Sequence, residues 1–546
     1  MKRDVWIFLM ALVLTAGLGS CSDDKIDSQN DNTGDPEING TTYVGLALRV
    51  PQAATLRDDS QDFNYIGAYT GYMGIDKLDL YLYTADGNTQ LMATSFVTLG
   101  TDFTMSVKNG QQYVELASPI KTNPGQVLAV VILNSQFPLM PATQPISTFQ
   151  ASTLRNIQRP DANTIIGDAY RSETLVASSI PIATISNTNY IISPTDGVTM
   201  MYEETINMDG MSAIPFTIQD NVSKADVQTG RMNIISVDVT KVVSKAIVTS
   251  TAGTTIDNTA SGGTIKGTVS NLTYSVAQGE NRANAWRQFT TDASGNVWTM
   301  TYSYNWVPGP AVSYTSQAST YYEYLDLLVT NRAINPLTVA VTPSLGAMPG
   351  VYLMPVTHQY GPTPASSGYR KGNTAYALIR ATFTPDPSVI WANGAFGGAL
   401  NASDPNGAGT FYYGFTDQVI YANLTDAENA ASTPTINNQY VQTYVGGKML
   451  YYAWLNPDNA SNPAQWVNSP VIRNNIYHIN IASFSGLGTN WNPLVPPDVT
   501  NPDPEPGGSE PPTSVDPTDP IGKNETYMQI TVNIIPWNVH SYGKTL

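Results

Sequence analysis

Only one cysteine, Cys21, stands in the 546 residues. The chain therefore cannot close an internal disulfide, and a cysteine-built redox pair or zinc site is excluded. Charge is scarce as well: Asp, Glu, Lys and Arg make up 13% of the chain, with 26 basic against 43 acidic residues and a formal net charge of −17. Phosphate neutralisation needs clustered Lys and Arg, and no cluster is present, so nucleic acid is excluded as a partner. The same scarcity leaves little Glu, Lys or Arg for the exposed faces of helices, whereas 42 Gly, 37 Pro and 31 Tyr suit strands and turns.

Catalytic constellations are missing too. The three histidines, His358, His478 and His540, lie in unrelated segments without HExxH or similar ligand spacing. His478, between Tyr477 and Ile479, reads as a structural histidine within a strand. Gly446-Gly447-Lys448 lacks the rest of a phosphate loop and carries Met449 where a hydroxyl residue belongs, so it reads as a turn before a strand. Asp76, Asp79, Glu203 and Glu204 read as ordinary solvated carboxylates. Tyr321, Tyr322 and Tyr324, like Tyr412 and Tyr413, suit aromatic packing better than a sugar-stacking platform. No catalytic residue, cofactor or metal ligand is expected.

What is present begins with a processing segment. Lys2 and Arg3 precede an apolar stretch at 5–14, and Leu18-Gly19-Ser20-Cys21 resembles a bacterial lipobox. Residues 1–20 are then a lipoprotein signal peptide and Cys21 the lipidated residue, held in the outer membrane by its lipid. No other stretch approaches the roughly 18 apolar residues of a membrane span.

At 546 residues two domains are expected. The first, 58–229, follows a segment 21–57 that holds an early strand; the second, 230–492, opens on a fresh strand series at 234–239. Strands are expected at 43–50, 78–83, 234–239, 242–249, 267–276, 375–383, 448–454 and 477–482. The apolar run 127–133 is a buried strand or a short core helix, its β-branched residues favouring the strand. Asp86-Gly87 marks a turn. Residues 145–225 read as long loops with a few short helices. The fold class is all-β, with two β-sandwich-like domains and a few short helices in loops.

Two strands share one pattern. Val44, Leu46, Leu48 and Val50 alternate with smaller or polar residues near the start, and Met528, Ile530, Val532 and Ile534 alternate with Gln529, Thr531 and Asn533 near the end. Trp537 and Val539 extend the second apolar series. Between the body and this last segment, 526–546, lies a linker, 493–525. Residues 493–520 of it hold ten prolines, six acidic residues and no basic one. Extended as polyproline, this stretch reaches roughly 80 Å. The terminal segment is too short to bury a core alone, so it must dock, at home or on a neighbour. Arg57 lies in a polar stretch after the early strand, where a trypsin-like protease could cut; Arg49, inside that strand, competes with it. Removing the early strand would leave a groove that a neighbour's terminal strand could fill.

Several blocks carry a family resemblance. VAQGENR (276–282), GNTAYALIRATFTP (372–385), YYAWLNP (451–457), NSPVIRNNIYHI (468–479), NWNPLVP (490–496) and PWNVHSY (536–542) resemble, in this order, the shaft fimbrillins of the short fimbriae of Porphyromonas. The first domain matches chiefly at FNYIG (63–67). The resemblance implies two fimbrillin domains and a donor strand on a linker. It also implies export as a lipoprotein, cleavage after an arginine that maps onto Arg57, and polymerisation through the donated terminal strand. Implied partners are further copies of the chain, anchor and tip subunits, outer-membrane lipid before processing, and host or bacterial adhesion receptors. Two other readings stay open: a tip adhesin or glycan-binding surface lipoprotein, and a lipid-anchored hydrolase.

Overall fold

The computed structural model describes residues 41–50, 77–108, 111–133, 215–230, 232–241, 244–280, 356–459, 465–472, 475–490, 519–522 and 528–536, together with short strands and a few single residues between them. Cys21, Arg57, Trp537, Val539, His540 and the block 63–67 lie outside the described residues, as does most of the linker. Those that are described fall in one compact unit spanning Ile38–Leu546. The protein is all-β, with short helices at Lys224–Gln228 and Leu424–Glu428.

The first sheet is built from β1 (Thr42–Val50), β2 (Leu78–Thr84), β3 (Gln90–Phe96), β4 (Phe103–Lys108), β5 (Gln111–Leu116), β6 (Ile120–Thr122) and β7 (Gly125–Leu133). After β8 (Thr153–Arg155), which pairs elsewhere, come β9 (Met200–Tyr202), β10 (Phe216–Ile218) and β11 (Ile234–Lys241). The hydrogen-bonded order is β3-β2-β7-β9-β11-β1-β5-β4, with β10 on β7 and β6 on β1. The apolar run 127–133 is thus a strand. β7 is buried from Val127 to Leu133 because β2 and β9 flank it and both of its faces pack into the core. Gly87 closes the β2–β3 turn at φ 71°, a conformation open to glycine at little cost.

Three expectations need correction here. The strand 234–239 does not open a second series: β11 runs parallel to β1 in the first sheet, and the change of sheet falls between Lys241 and Ser244. Periodicity identifies a strand but not a partner nearly two hundred residues away. Within 145–225, read as loops and short helices, β9 fits between β7 and β11, and strands of three residues are too short to display a period. Asp79 is not solvated. It lies on β2 between β3 and β7, is fully buried, and pairs with Lys77 at 3.0 Å while accepting a hydrogen bond from Ser95.

Three five-stranded sheets follow. One orders Asn335–Pro336, Ser244–Ser250, Asn475–Phe484 and Met528–Pro536, with Val351–Leu353 also on Ser244–Ser250. A second orders Thr255–Asp257, Lys266–Ala277, Tyr376–Pro385 and Lys448–Trp454, with Arg332–Ala333 on Lys266–Ala277. The third, inserted between Tyr376–Pro385 and Lys448–Trp454, orders Ala395–Phe396, Ile390–Ala392, Ile420–Tyr421, Phe411–Gly414 and Val441–Tyr444. Tyr412 is buried there with its hydroxyl on Asp404, as strand packing requires.

Candidate strand-exchange site

β1 is an interior strand. Along 45–49 it pairs in parallel with β11, along 47–50 antiparallel with β5, and along 42–44 antiparallel with β6. Val44, Leu46 and Leu48 are 1%, 3% and 0% exposed, as the alternation requires. Burying them contributes about 1.5–3 kcal/mol each. The opposite face is covered at its middle. Gly45 is buried beneath the helix Lys224–Gln228, and a Cβ there would lie 2.8 Å from both Val227 Cγ1 and Ile234 Cδ1. A glycine inside an alternating strand is itself the signal for such a close approach. Arg49 stands in this ladder with its backbone opposite Asp238 on β11 and Tyr113 on β5.

A polar clamp holds the start of β1. The Asn233 side-chain amide donates to Thr42 Oγ1 at 3.1 Å, to the Tyr43 carbonyl at 3.0 Å and to the Gln219 carbonyl at 2.9 Å. Its carbonyl oxygen accepts from the Gln219 backbone at 2.8 Å. Thr42 in turn donates to Gln219 O at 2.7 Å and accepts from Val222 N at 3.1 Å. Asn233 adopts φ 51°, a left-handed conformation that Asn tolerates better than other non-glycine residues. Nothing local in the sequence singled this residue out, because its partners on β1 are about 190 positions upstream.

The terminal strand Met528–Pro536 docks at home. It lies antiparallel to Asn475–Phe484 at the end of its sheet, with that strand as its sole sheet neighbour among the described residues. Ile534, Val532 and Ile530 stand directly across from Tyr477, Ile479 and Ile481, all three fully buried, and Asn533 and Thr531 stand across from His478 and Asn480. Its alternation is therefore matched position for position by its host, whose own polar row is tied together. Thr249 Oγ1 donates to Asn480 Oδ1 at 2.9 Å and contacts His478 Nε2 at 2.8 Å. Burial pushes the His478 imidazole down to about 4.

The end of the linker is fastened too. Ile521 is fully buried in a cluster with Tyr369, Tyr376, Leu378, Trp454 and Trp466. Beside it, Lys371 N donates to Asp519 O at 2.9 Å, the Lys371 ammonium lies 3.7 Å from the Asp519 carboxylate, and Pro520 bridges to Arg370. Ile521 is the isolated apolar residue after the proline- and acid-rich stretch, and that contrast was its only sequence signal.

The strands around this site carry the decisive likeness. Residues 442–543, which include Lys448–Trp454, Asn475–Phe484 and the terminal strand, match the family described as major fimbrial subunit protein type IV, fimbrillin, C-terminal. The chain is fimbrillin-like. It is also 28% identical over 560 aligned residues, 98% of each chain, to the minor fimbrium subunit Mfa1 of Porphyromonas gingivalis. Among solved structures, a fimbrilin (FimA) from P. gingivalis W83 aligns with 92% of this fimbrillin-like chain and 99% of its own, at 14% identity and a TM-score of 0.40. A cell adhesion protein from Parabacteroides distasonis aligns over the same shares at 11% identity and a TM-score of 0.37.

Proposed function

We propose that the chain is the repeating shaft subunit of a cell-surface fimbria and polymerises by donor-strand exchange. One observation carries the proposal: β1 and the terminal strand are both nine residues long and similarly alternating, yet among the described residues β1 has partners on both sides while the terminal strand has one. A donated strand that left the edge of its own sheet for a vacated β1 position would exchange one hydrogen-bonded ladder for two. Each additional backbone bond contributes about 0.5–1.5 kcal/mol, so a nine-residue strand gains a joint that dissociates slowly. Edge docking at home keeps the donor folded and its apolar positions paired until a groove opens.

Removal of β1 is assigned to cleavage after Arg57, in a precursor lipidated at Cys21. Arg49 is the weaker candidate because its backbone is engaged by strands on both sides. Carrying both a removable strand and a donor strand supports a shaft rather than a terminal position. In that scheme Val44, Leu46, Leu48 and Val50 leave, and Met528, Ile530, Val532 and Ile534, followed by Trp537 and Val539, take their place. The subunit acts structurally, joined to copies of itself and to anchor and tip subunits, and supports adhesion.

The test is electron microscopy of the purified precursor before and after treatment with an arginine-specific protease, combined with N-terminal sequencing of the product. Filaments of subunits starting at Asp58 are expected, and Arg57→Ala should remain a folded, soluble monomer. Filaments from Arg57→Ala, or assembled subunits still acylated at Cys21, would overturn the assignment.

A further inference from the structure

The polar clamp around Thr42 loses a hydroxyl when β1 leaves, and the terminal segment carries a replacement at the matching position. We propose that the clamp of Asn233, Gln219 and Val222 binds the Thr526 hydroxyl of a second copy of the chain, and that this contact sets the register and direction of the donated strand. The inference rests on strand exchange and adds to it the residue that aligns the strand.

A hydroxyl matches the clamp in full. Thr42 is fully buried, and its Oγ1 donates to Gln219 O at 2.7 Å while accepting from Val222 N and from Asn233 Nδ2, both at 3.1 Å. A hydroxyl has one proton and two lone pairs, and all three are engaged. An apolar side chain in its place would leave these groups without that partner in a buried site. The backbone contacts at this end, Tyr43 N to Val222 O at 3.2 Å and Gly45 N to Asn233 O at 2.9 Å, can be made by any residue except proline, so discrimination between side chains falls to the hydroxyl position.

The sequence supplies the match. β1 begins with Thr42-Tyr43 and then sets Val44, Leu46, Leu48 and Val50 at alternate positions; the terminal segment has Thr526-Tyr527 and then Met528, Ile530, Val532 and Ile534 at alternate positions. Laid on β1 in the same direction, Thr526 falls on Thr42 and each apolar residue on an apolar site. Alternation alone fixes the row but not the position along it, since a shift of two residues keeps every side chain on its own face. The clamp separates these registers. A shift of two sets either Met528 or Asn524 at the Thr42 position, and the second also sets Thr526 at the Val44 position, which is 1% exposed. Thr531 is no substitute, because Asn533 follows it where an apolar residue is needed. The donated strand then runs parallel to β11 and antiparallel to β5, as β1 does. One neighbour has to yield: Gln529 takes the place of Gly45, where a Cβ lies 2.8 Å from Val227 Cγ1 and Ile234 Cδ1. No glycine stands between Thr526 and Tyr542, so every register meets this contact, and the helix Lys224–Gln228 moves outward on exchange.

The experiment uses disulfide trapping in the full chain, whose only cysteine, Cys21, leaves with β1 in the proposed scheme. Asn533→Cys is combined in turn with Tyr113→Cys, Glu115→Cys and Gln111→Cys. Tyr113 stands opposite Arg49, whose place Asn533 takes, Glu115 stands opposite Ala47, and Gln111 lies two residues beyond Tyr113 the other way. Facing residues of antiparallel strands have Cα atoms about 4.5–5.5 Å apart, within reach of a disulfide. After cleavage by an arginine-specific protease and oxidation, filaments should yield covalent ladders on non-reducing gels with Tyr113→Cys and not with the other two. Thr526→Val, which keeps the shape and removes the hydroxyl, should slow filament growth about tenfold, whereas Thr526→Ser should stay within about twofold of the parent. Uncleaved Thr526→Val should melt like the parent. Filaments that cross-link at Glu115, at Gln111 or at none of the three, or Thr526→Val growing like the parent, would overturn the role of the clamp and leave strand exchange standing. Absence of filaments from the cleaved parent chain would overturn both.

Discussion

Asn233→Ala in the uncleaved chain should loosen β1 more than any other single polar substitution near it. Asn233 is 9% exposed, and its side chain engages Thr42, Tyr43 and both backbone groups of Gln219. At about 0.5–1.5 kcal/mol net for each bond, the four bonds of the amide contribute roughly 2–6 kcal/mol. Alanine at φ 51° adds about 1 kcal/mol of backbone strain, for a total of roughly 3–7 kcal/mol. Against a typical domain stability of about 5–15 kcal/mol, this is a large loss. Urea unfolding should show it as a lower midpoint with an unchanged slope. Asn233→Gly, which accepts the left-handed backbone, should lose only the hydrogen-bond share. Because two of the bonds go to β1 itself, local opening should rise about tenfold or more, and an arginine-specific protease should begin to cut after Arg49. A destabilisation below about 1 kcal/mol, or unaltered resistance at Arg49, would refute the clamp.

Other perturbations should separate the parts of the site. Deleting 526–546 should abolish polymerisation while leaving the body folded, and a charge at Ile530 or Val532 should do nearly the same, since a buried unpaired charge is costly. Charges at Thr531 or Asn533 should be tolerated better in a filament-assembly assay, and equal sensitivity of the two rows would discredit the alternation. Ile521→Ala should cost about 2–5 kcal/mol locally, the usual loss for a buried aliphatic side chain. Hydrogen exchange along Asn475–Phe484 should then accelerate as the terminal strand comes free, and unchanged protection there would show that Ile521 is not its fastening. For pH, His358 and His478 are both pushed by burial down to about 4 from an ordinary 6.5, so the unfolded chain takes up their protons first. Their contribution is whole above pH 6.5 and is lost as pH falls toward 4, by about 3 kcal/mol for each histidine. Urea midpoints measured between pH 7 and 4 should fall accordingly and recover in part in His478→Gln; a flat profile would contradict the burial.

Much of the strand inventory was legible in the sequence. The strand Lys448–Trp454 falls where it was expected, and Leu78–Thr84, Lys266–Ala277, Tyr376–Pro385 and Asn475–Phe484 differ from expectation by a few residues at their ends. Alternating or continuously apolar runs bounded by Gly, Pro and Asn carry that information locally. The clamp and the fastening were not legible in this way. Asn233 looks like any loop asparagine until Thr42 and Tyr43 are brought beside it, and Asp79 looks like any strand carboxylate until β3 and β7 close over it.

The two strands at the centre of the proposal divide along the same line. Sequence alone determined that 43–50 and 528–534 are strands with one apolar row each, because a period of two is a property of consecutive residues. It could not say which neighbours they find. That β1 lies between β11 and β5, while Met528–Pro536 has a single sheet partner among the described residues, was decided only by tertiary structure. Pairing is a non-local choice set by register, burial and the closing of long loops, and those terms exist only once the distant segments meet.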